Sequence, residues 1–147
     1  MRIETSGRAV LMLVTMSAPS MAQTDQHGAS HELDSPGRVT VVDFAASWCV
    51  PCWKSLPHLE ALAQSHPDIQ FLVVSVDDRE DGRDQLVGRL GLSLPVIWDG
   101  GHAIAERFRP QGMPATYVLG ADGALLHEHL GYDRDTWGAF VAFLDEL

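Results

Sequence analysis

Cysteine is the scarcest informative residue in this chain. Only Cys49 and Cys52 are present among 147 residues, so at most one intramolecular bridge can form. Basic residues are scarce too: 10 Lys and Arg stand against 20 Asp and Glu, a net charge of −10. Such a chain has no electrostatic reason to seek nucleic acid or an anionic membrane. The sequence has no internal repeat and no long low-complexity run. Its one concentrated apolar stretch, Ala9–Ala18, is too short to cross a bilayer comfortably. The Gly100–Gly101 pair is not followed by Lys and Ser or Thr, so it reads as a turn and not a phosphate loop. What remains is ordinary for one soluble globular domain: 46 % hydrophobic and 20 % charged residues, in a chain long enough for a real core.

The N-terminus has its own layout. Arg2 and Arg8 precede the apolar stretch, Glu4 slightly weakens the basic segment, and Ser20 and Ala22 supply small residues at −3 and −1 of a cut after Ala22. This predicts a secretory signal peptide over residues 1–22, with export to a periplasm or another oxidising compartment. An uncleaved anchor or a disordered tail is the bland alternative. The segment holds no cysteine for a lipid anchor. Residues 23–37 are polar and predict a flexible leader, with His27 and His31 solvated. The folded domain is then expected over 38–147.

Within that domain, Arg38–Ala46 and Ile69–Asp77 read as buried strands. Cys49 to about Gln64 has helical spacing, with Leu56, Leu59, Leu62 and Ala63 gathered on one face. "DGRDQLVGRLG" predicts a second helix that Gly91 stops. A short strand at Leu94–Asp99, a short helix in "GHAIAERF", a strand in "ATYVLG", a turn at Asp122–Gly123, a strand in "ALLHEHLG" and an amphipathic helix in "RDTWGAFVAFLDEL" complete the series. The order β-α-β-α-β-α-β-β-α implies an α/β fold: a central mixed sheet with helices on both faces and an antiparallel edge. Ligands of such sheets gather at the carboxyl ends of strands, where Cys49 falls.

Three roles compete for the cysteine pair. A structural disulfide stabilises most when it closes a long loop, and a separation of three closes almost none. A zinc site needs about two further ligands, and His58 alone does not complete one. Redox exchange fits best. At a helix start, residues i and i+3 share a face, so the sulfurs can meet. Unpaired amides and the helix dipole stabilise a thiolate at Cys49, with Cys52 deeper. Pro51 is tolerated in the first turn, and Trp48 shields one side of the dithiol. Other residues call for a reason. Pro57 lies inside the helical stretch. Asp43 interrupts an apolar strand. Met113–Pro114 directly precedes a strand, where a cis-proline can hold a sharp turn.

Together these residues resemble a thioredoxin-fold thiol–disulfide oxidoreductase. "VVDFAASWCVPCWKSLP" resembles the thioredoxin active-site segment, and "GMPATYVL" resembles its cis-proline loop. The longer segment from Phe71 to Phe108 is similar to the secreted TlpA/ResA-like branch, which inserts an extra helix and strand. The resemblance covers about Val39 to Leu147. It implies Cys49 as nucleophile, Cys52 as resolving thiol and Asp43 as a buried acid–base group beneath Cys52. Desolvation should raise the Asp43 pKa toward neutrality. The resemblance also implies that Pro114 faces the dithiol, and that the Met113 backbone pairs with an extended substrate. No cofactor or metal is implied. Implied partners are protein thiols or disulfides, of apocytochrome c or copper-centre assembly proteins, and a membrane electron donor.

The chain also departs from the branch. Ser55 stands where many members carry glutamate, and Asp43 where many carry asparagine. "FLVVSV" offers no lysine near the acid, so Asp43 is expected to be more perturbed than usual. The branch's N-terminal hairpin is expected to be reduced to the polar leader. "HEH" at 127–129 predicts a solvent-facing edge strand rather than a metal site. "DDREDGRD" predicts a solvated loop and helix cap, while Trp98, Trp137 and Phe140 predict packing. The sequence leaves two other functions open: a metal-binding or metallochaperone module using Cys49 and Cys52, and a thiol oxidase or isomerase.

Overall fold

The computed structural model describes residues 22–34 and 37–147. The signal peptide expected over 1–22 therefore lies outside the described residues, apart from Ala22. In chain order the elements are β1 (Ala22–Thr24), β2 (Ser30–Glu32), β3 (Thr40–Ala45), α1 (Val50–Ser65), β4 (Gln70–Ser75), α2 (Glu80–Leu90), β5 (Val96–Trp98), α3 (Ala103–Phe108), β6 (Ala115–Leu119), β7 (Leu125–Leu130) and α4 (Arg134–Asp145).

β3 is buried at every position, as its nearly unbroken apolar run requires of a strand covered on both faces. It sits at the centre of a five-stranded sheet ordered β5-β4-β3-β6-β7. β4 and β5 join in parallel, while β6 and β7 run antiparallel. This is the mixed sheet expected from the element order. Alternation along β3 sends its side chains to two cores. Val41 and Ala45 enter a core with Leu56, Leu59 and Leu62 of α1, Leu86 of α2, and Phe140 and Leu144 of α4. Val42 and Phe44 enter the other, with Ile104 of α3 and Leu33. Gly91 stops α2 in the left-handed conformation at φ 61°, as its sequence position suggested.

Two expectations need correction. The stretch read as a flexible leader forms an antiparallel hairpin, with Gln23 opposite His31. Its fastening is mainly polar, which is why an apolar pattern does not reveal it. The Asp25 carboxylate accepts from the amides of His27 and Ala29 and meets His31 Nε2 at 2.7 Å. Gln26 donates to the Leu94 carbonyl and accepts from the Val96 amide, and Asp25 bridges to Ile97, so the hairpin caps the β5 edge. Leu33 then plugs the second core at 0 % exposure. Residues ahead of Arg38, from Ala22 to Glu32, are thus part of the fold.

The second correction concerns β7. It is an edge strand, but His127 and His129 do not face solvent. They face α4: His127 stacks on Phe143 with ring centroids 4.4 Å apart, and His129 stacks on Phe140 at 5.5 Å. The exposed residues are Leu125, Leu126, Glu128 and Leu130.

Candidate active site

The register Ala45↔Ser75 aligns the ends of β3 and β4. Two residues further along each chain stand Ser47 and Asp77. The Asp77 carboxylate accepts from the Ser47 amide at 3.0 and 3.1 Å, the Ser47 hydroxyl at 2.6 Å and the Ser75 hydroxyl at 2.7 Å. Trp53 of α1 donates its indole N–H to the Ser47 carbonyl, and Trp98 donates to the Asp77 carbonyl. Gly82 leaves the space this needs, since a Cβ there would lie 2.4 Å from the Asp77 carboxyl. Asp77 is buried, so the stretch expected to be a solvated loop contains the anchor of the active-site loop. The signal was the serine two residues before it, but only the strand register shows which loop it holds.

That loop delivers Cys49 to the N-cap of α1. Its Sγ accepts from the Cys52 amide at 3.3 Å, and Pro51 occupies the first turn. The two sulfurs are joined in a disulfide, with Cα atoms 5.3 Å apart. Cys52 is fully buried, and Cys49 is 5 % exposed. Trp48 and Val50, by contrast, are 66 % and 69 % exposed beside it. A cleft of about 810 Å³ opens here, lined by Trp48, Cys49, Val76, Asp78, His102 and Met113. His102, just before α3, has a left-handed backbone at φ 57°. The Met113–Pro114 peptide is cis, and Pro114 is buried directly before β6.

Asp43 lies between Val41 and Ala45 on β3, on the face that packs into the core holding Cys52 and Leu56. It is 2 % exposed. Its register neighbour on β4 is Val73, so the adjacent strand supplies no cation there. Among the described residues one donor reaches it, the Thr116 hydroxyl at 2.7 Å to Oδ1, and Oδ2 is buried without a partner. Desolvation raises its pKa to about 7, and the Thr116 bond offsets this only in part. Ser55 is buried and donates its hydroxyl to the Cys52 carbonyl. Pro57 is exposed, and α1 continues through it to Ser65. His58 is exposed and stacks on Tyr132 with ring centroids 5.4 Å apart.

The structure thus gathers Trp48, Cys49 and Met113 on one cleft, places Pro114 next to Met113, and sets Cys52 and Asp43 in the core below. The family model described as Redoxin matches residues 13–142. The chain belongs to the Redoxin family. Among its relatives is the thiol-disulfide oxidoreductase ResA of Bacillus thuringiensis, 25 % identical over 123 residues, spanning 82 % of this chain and 71 % of that one. Among solved structures, a putative thiol:disulfide interchange protein DsbE from Chlorobium tepidum superposes with a TM-score of 0.76 at 24 % identity, covering 87 % of this chain and 93 % of its own. A putative thioredoxin from Neisseria meningitidis gives 0.75 at 26 %, covering 88 % and 87 %. Fold, cysteine pair and relatives agree: this is a thioredoxin-like thiol–disulfide oxidoreductase of the TlpA/ResA-like branch.

Proposed function

We propose that the chain is an exported reductant of protein disulfides, with Cys49 as its attacking sulfur. The observation that carries this reading is the pairing of a dithiol at a helix N-terminus with a half-bonded carboxyl in the core below. Helix amides and the dipole stabilise negative charge at Cys49 Sγ. The reduced enzyme attacks a substrate disulfide, forming a mixed disulfide and releasing one substrate thiolate. Cys52 then gives its proton to the Asp43 carboxylate and attacks Cys49 Sγ. The second substrate thiolate leaves, and the enzyme is left with the Cys49–Cys52 disulfide. A carboxyl that titrates at about 7 can take that proton and return it at neutral pH.

The cleft supports an extended protein segment as the substrate. Trp48 and Met113 flank Cys49, and backbone pairing at Met113 beside Pro114 would hold the segment by strand addition. A reductant in an oxidising compartment must be recharged, which calls for a membrane electron donor. Substrates of this chemistry include apocytochrome c and copper-centre assembly proteins. Cleavage after Ala22 would remove one residue of β1 and keep the Gln23↔His31 and Thr24↔Ser30 pairs.

The test is reduction of a peptide disulfide of the CxxCH type by the reduced mature protein. Turnover is expected with wild type, none with Cys49→Ser, and a trapped mixed disulfide with Cys52→Ser. Stoichiometric copper binding lost in Cys49→Ser, with no disulfide reduction by wild type, would replace this reading with a metal carrier.

A further inference from the structure

Asp43 is sealed from solvent, so a proton it accepts from Cys52 needs a way out. The sheet register lays one down. Asp43 of β3 stands opposite Thr116 of β6, and Thr116 opposite His129 of β7. All three side chains point to the same face, one rung apart, and directly opposed Cβ atoms lie ~5 Å apart. The two ends of this row carry buried polar atoms without a hydrogen-bond partner among the described residues: Asp43 Oδ2 and His129 Nε2. Thr116 links to the first through its bond to Oδ1. Each such atom is costly to leave unpaired, and these two bracket Thr116.

The His129 ring is set up as a receiver. Burial holds its pKa below the ordinary histidine value, against a smaller opposing effect of the Gly131 backbone, so the ring is neutral at pH 7. In the neutral tautomer protonated at Nδ1, Nε2 carries the lone pair that can accept a proton. Trp137 and Phe140 wall the ring in, its centroid 5.9 and 5.5 Å from theirs. The charged and titratable groups acting on it are His127, which opposes its protonation, and Asp133, which favours it. Glu128 lies on the other face of the strand and acts on Tyr117. On the Asp43 side, the row faces Cys52, Thr116 and Val73.

We propose that Thr116 and His129 form the proton route between Asp43 and solvent. This inference rests on the thiol–disulfide reading above. The Thr116 hydroxyl, which at rest donates to Oδ1, turns to accept the proton of the Asp43 carboxyl and passes its own proton across one water to His129 Nε2. Asp43 is left as the carboxylate and His129 as the imidazolium, which then loses a proton to bulk water. One proton moves and no electrons do. Thr116 and His129 touch neither substrate nor sulfur, so they are positioning and relay residues.

The test is the single-turnover resolution of a mixed disulfide, followed across neutral pH in full-length mature protein. Thr116→Val and His129→Leu are expected to slow resolution roughly tenfold, less than loss of a complete acid–base group. Thr116→Ser should restore the rate, and added imidazole should rescue His129→Ala. The dithiol potential should stay at its wild-type value in each, which a merely structural lesion would not allow. His129→Leu should add nothing to Asp43→Asn. Wild-type rates in both Thr116→Val and His129→Leu, with Asp43→Asn slow, would overturn the relay and leave the exchange mechanism intact. A wild-type rate in Asp43→Asn as well would overturn the role of Asp43 itself.

Discussion

Two buried aspartates on neighbouring strands carry opposite burdens. Asp77, just past β4, is held by the Ser47 amide and two serine hydroxyls, and it fixes the loop that leads to Cys49. Asp43, in the middle of β3, has one donor and one bare oxygen. A carboxylate surrounded by donors is a structural anchor, because its charge is already compensated. One buried with a single donor resists ionisation and is free to exchange a proton. The difference separates the residue that builds the site from the one proposed to operate it, although both are almost equally buried.

Replacing the two aspartates should therefore have opposite effects on stability. Asp43→Asn is expected to slow mixed-disulfide resolution by about 10², measured by rapid quench. The same change should make the oxidised protein more stable at high pH. The folded pKa of about 7 lies above the unfolded value of 3.8. Between those values the unfolded state has lost the proton and the folded state keeps it. Wild-type stability therefore falls as pH rises from about 4 to 7, then levels. At most about 4 kcal/mol is involved, from roughly three pH units at 1.36 kcal/mol each. Urea unfolding at pH 5 and pH 8 checks it: the decline should vanish in Asp43→Asn. An equal decline in that variant would locate the titration elsewhere.

Asp77→Ala should do the reverse, destabilising by about 3 kcal/mol because it strands the donors of half-buried Ser47 and buried Ser75. Gly82→Ala presses a methyl onto the same carboxyl and should cost about 2 kcal/mol. Denaturant midpoints read both. A Gly82→Ala protein as stable as wild type would show that the close approach to Asp77 is not needed. The smallest effect is expected at the hairpin, where Asp25→Asn should weaken the fastening of β1 and β2 by about 1 kcal/mol. Faster amide exchange confined to the hairpin would register it. Burial alone would raise the Asp25 pKa, but His31 and two amides bring it below the ordinary value. The hairpin's stabilisation is thus held above the unfolded pKa and lost as pH falls through the folded one.

Much of the working half of this comparison was legible in the sequence. The Cys49–Cys52 spacing, the carboxyl interrupting an apolar strand and the proline before the last strand pair each break a local rule, and a broken rule is visible without coordinates. The anchoring half was not. Asp77 sits in a run dense with charge, and only the Ala45↔Ser75 register shows that it meets Ser47 across 30 residues. The hairpin escaped for the same reason: Asp25 and Gln26 hold it through polar bonds that leave no hydrophobic period. At "HEH", alternation correctly put both histidines on one face, but their packing against α4 decided which face was buried.

The central claim is that Cys49 and Cys52 form a reducing couple. It is tested most directly by equilibrating the mature protein against glutathione and reading the fraction of dithiol. A potential near about −250 mV or lower is the predicted result. A value near roughly −120 mV would make the protein an oxidant and contradict the account.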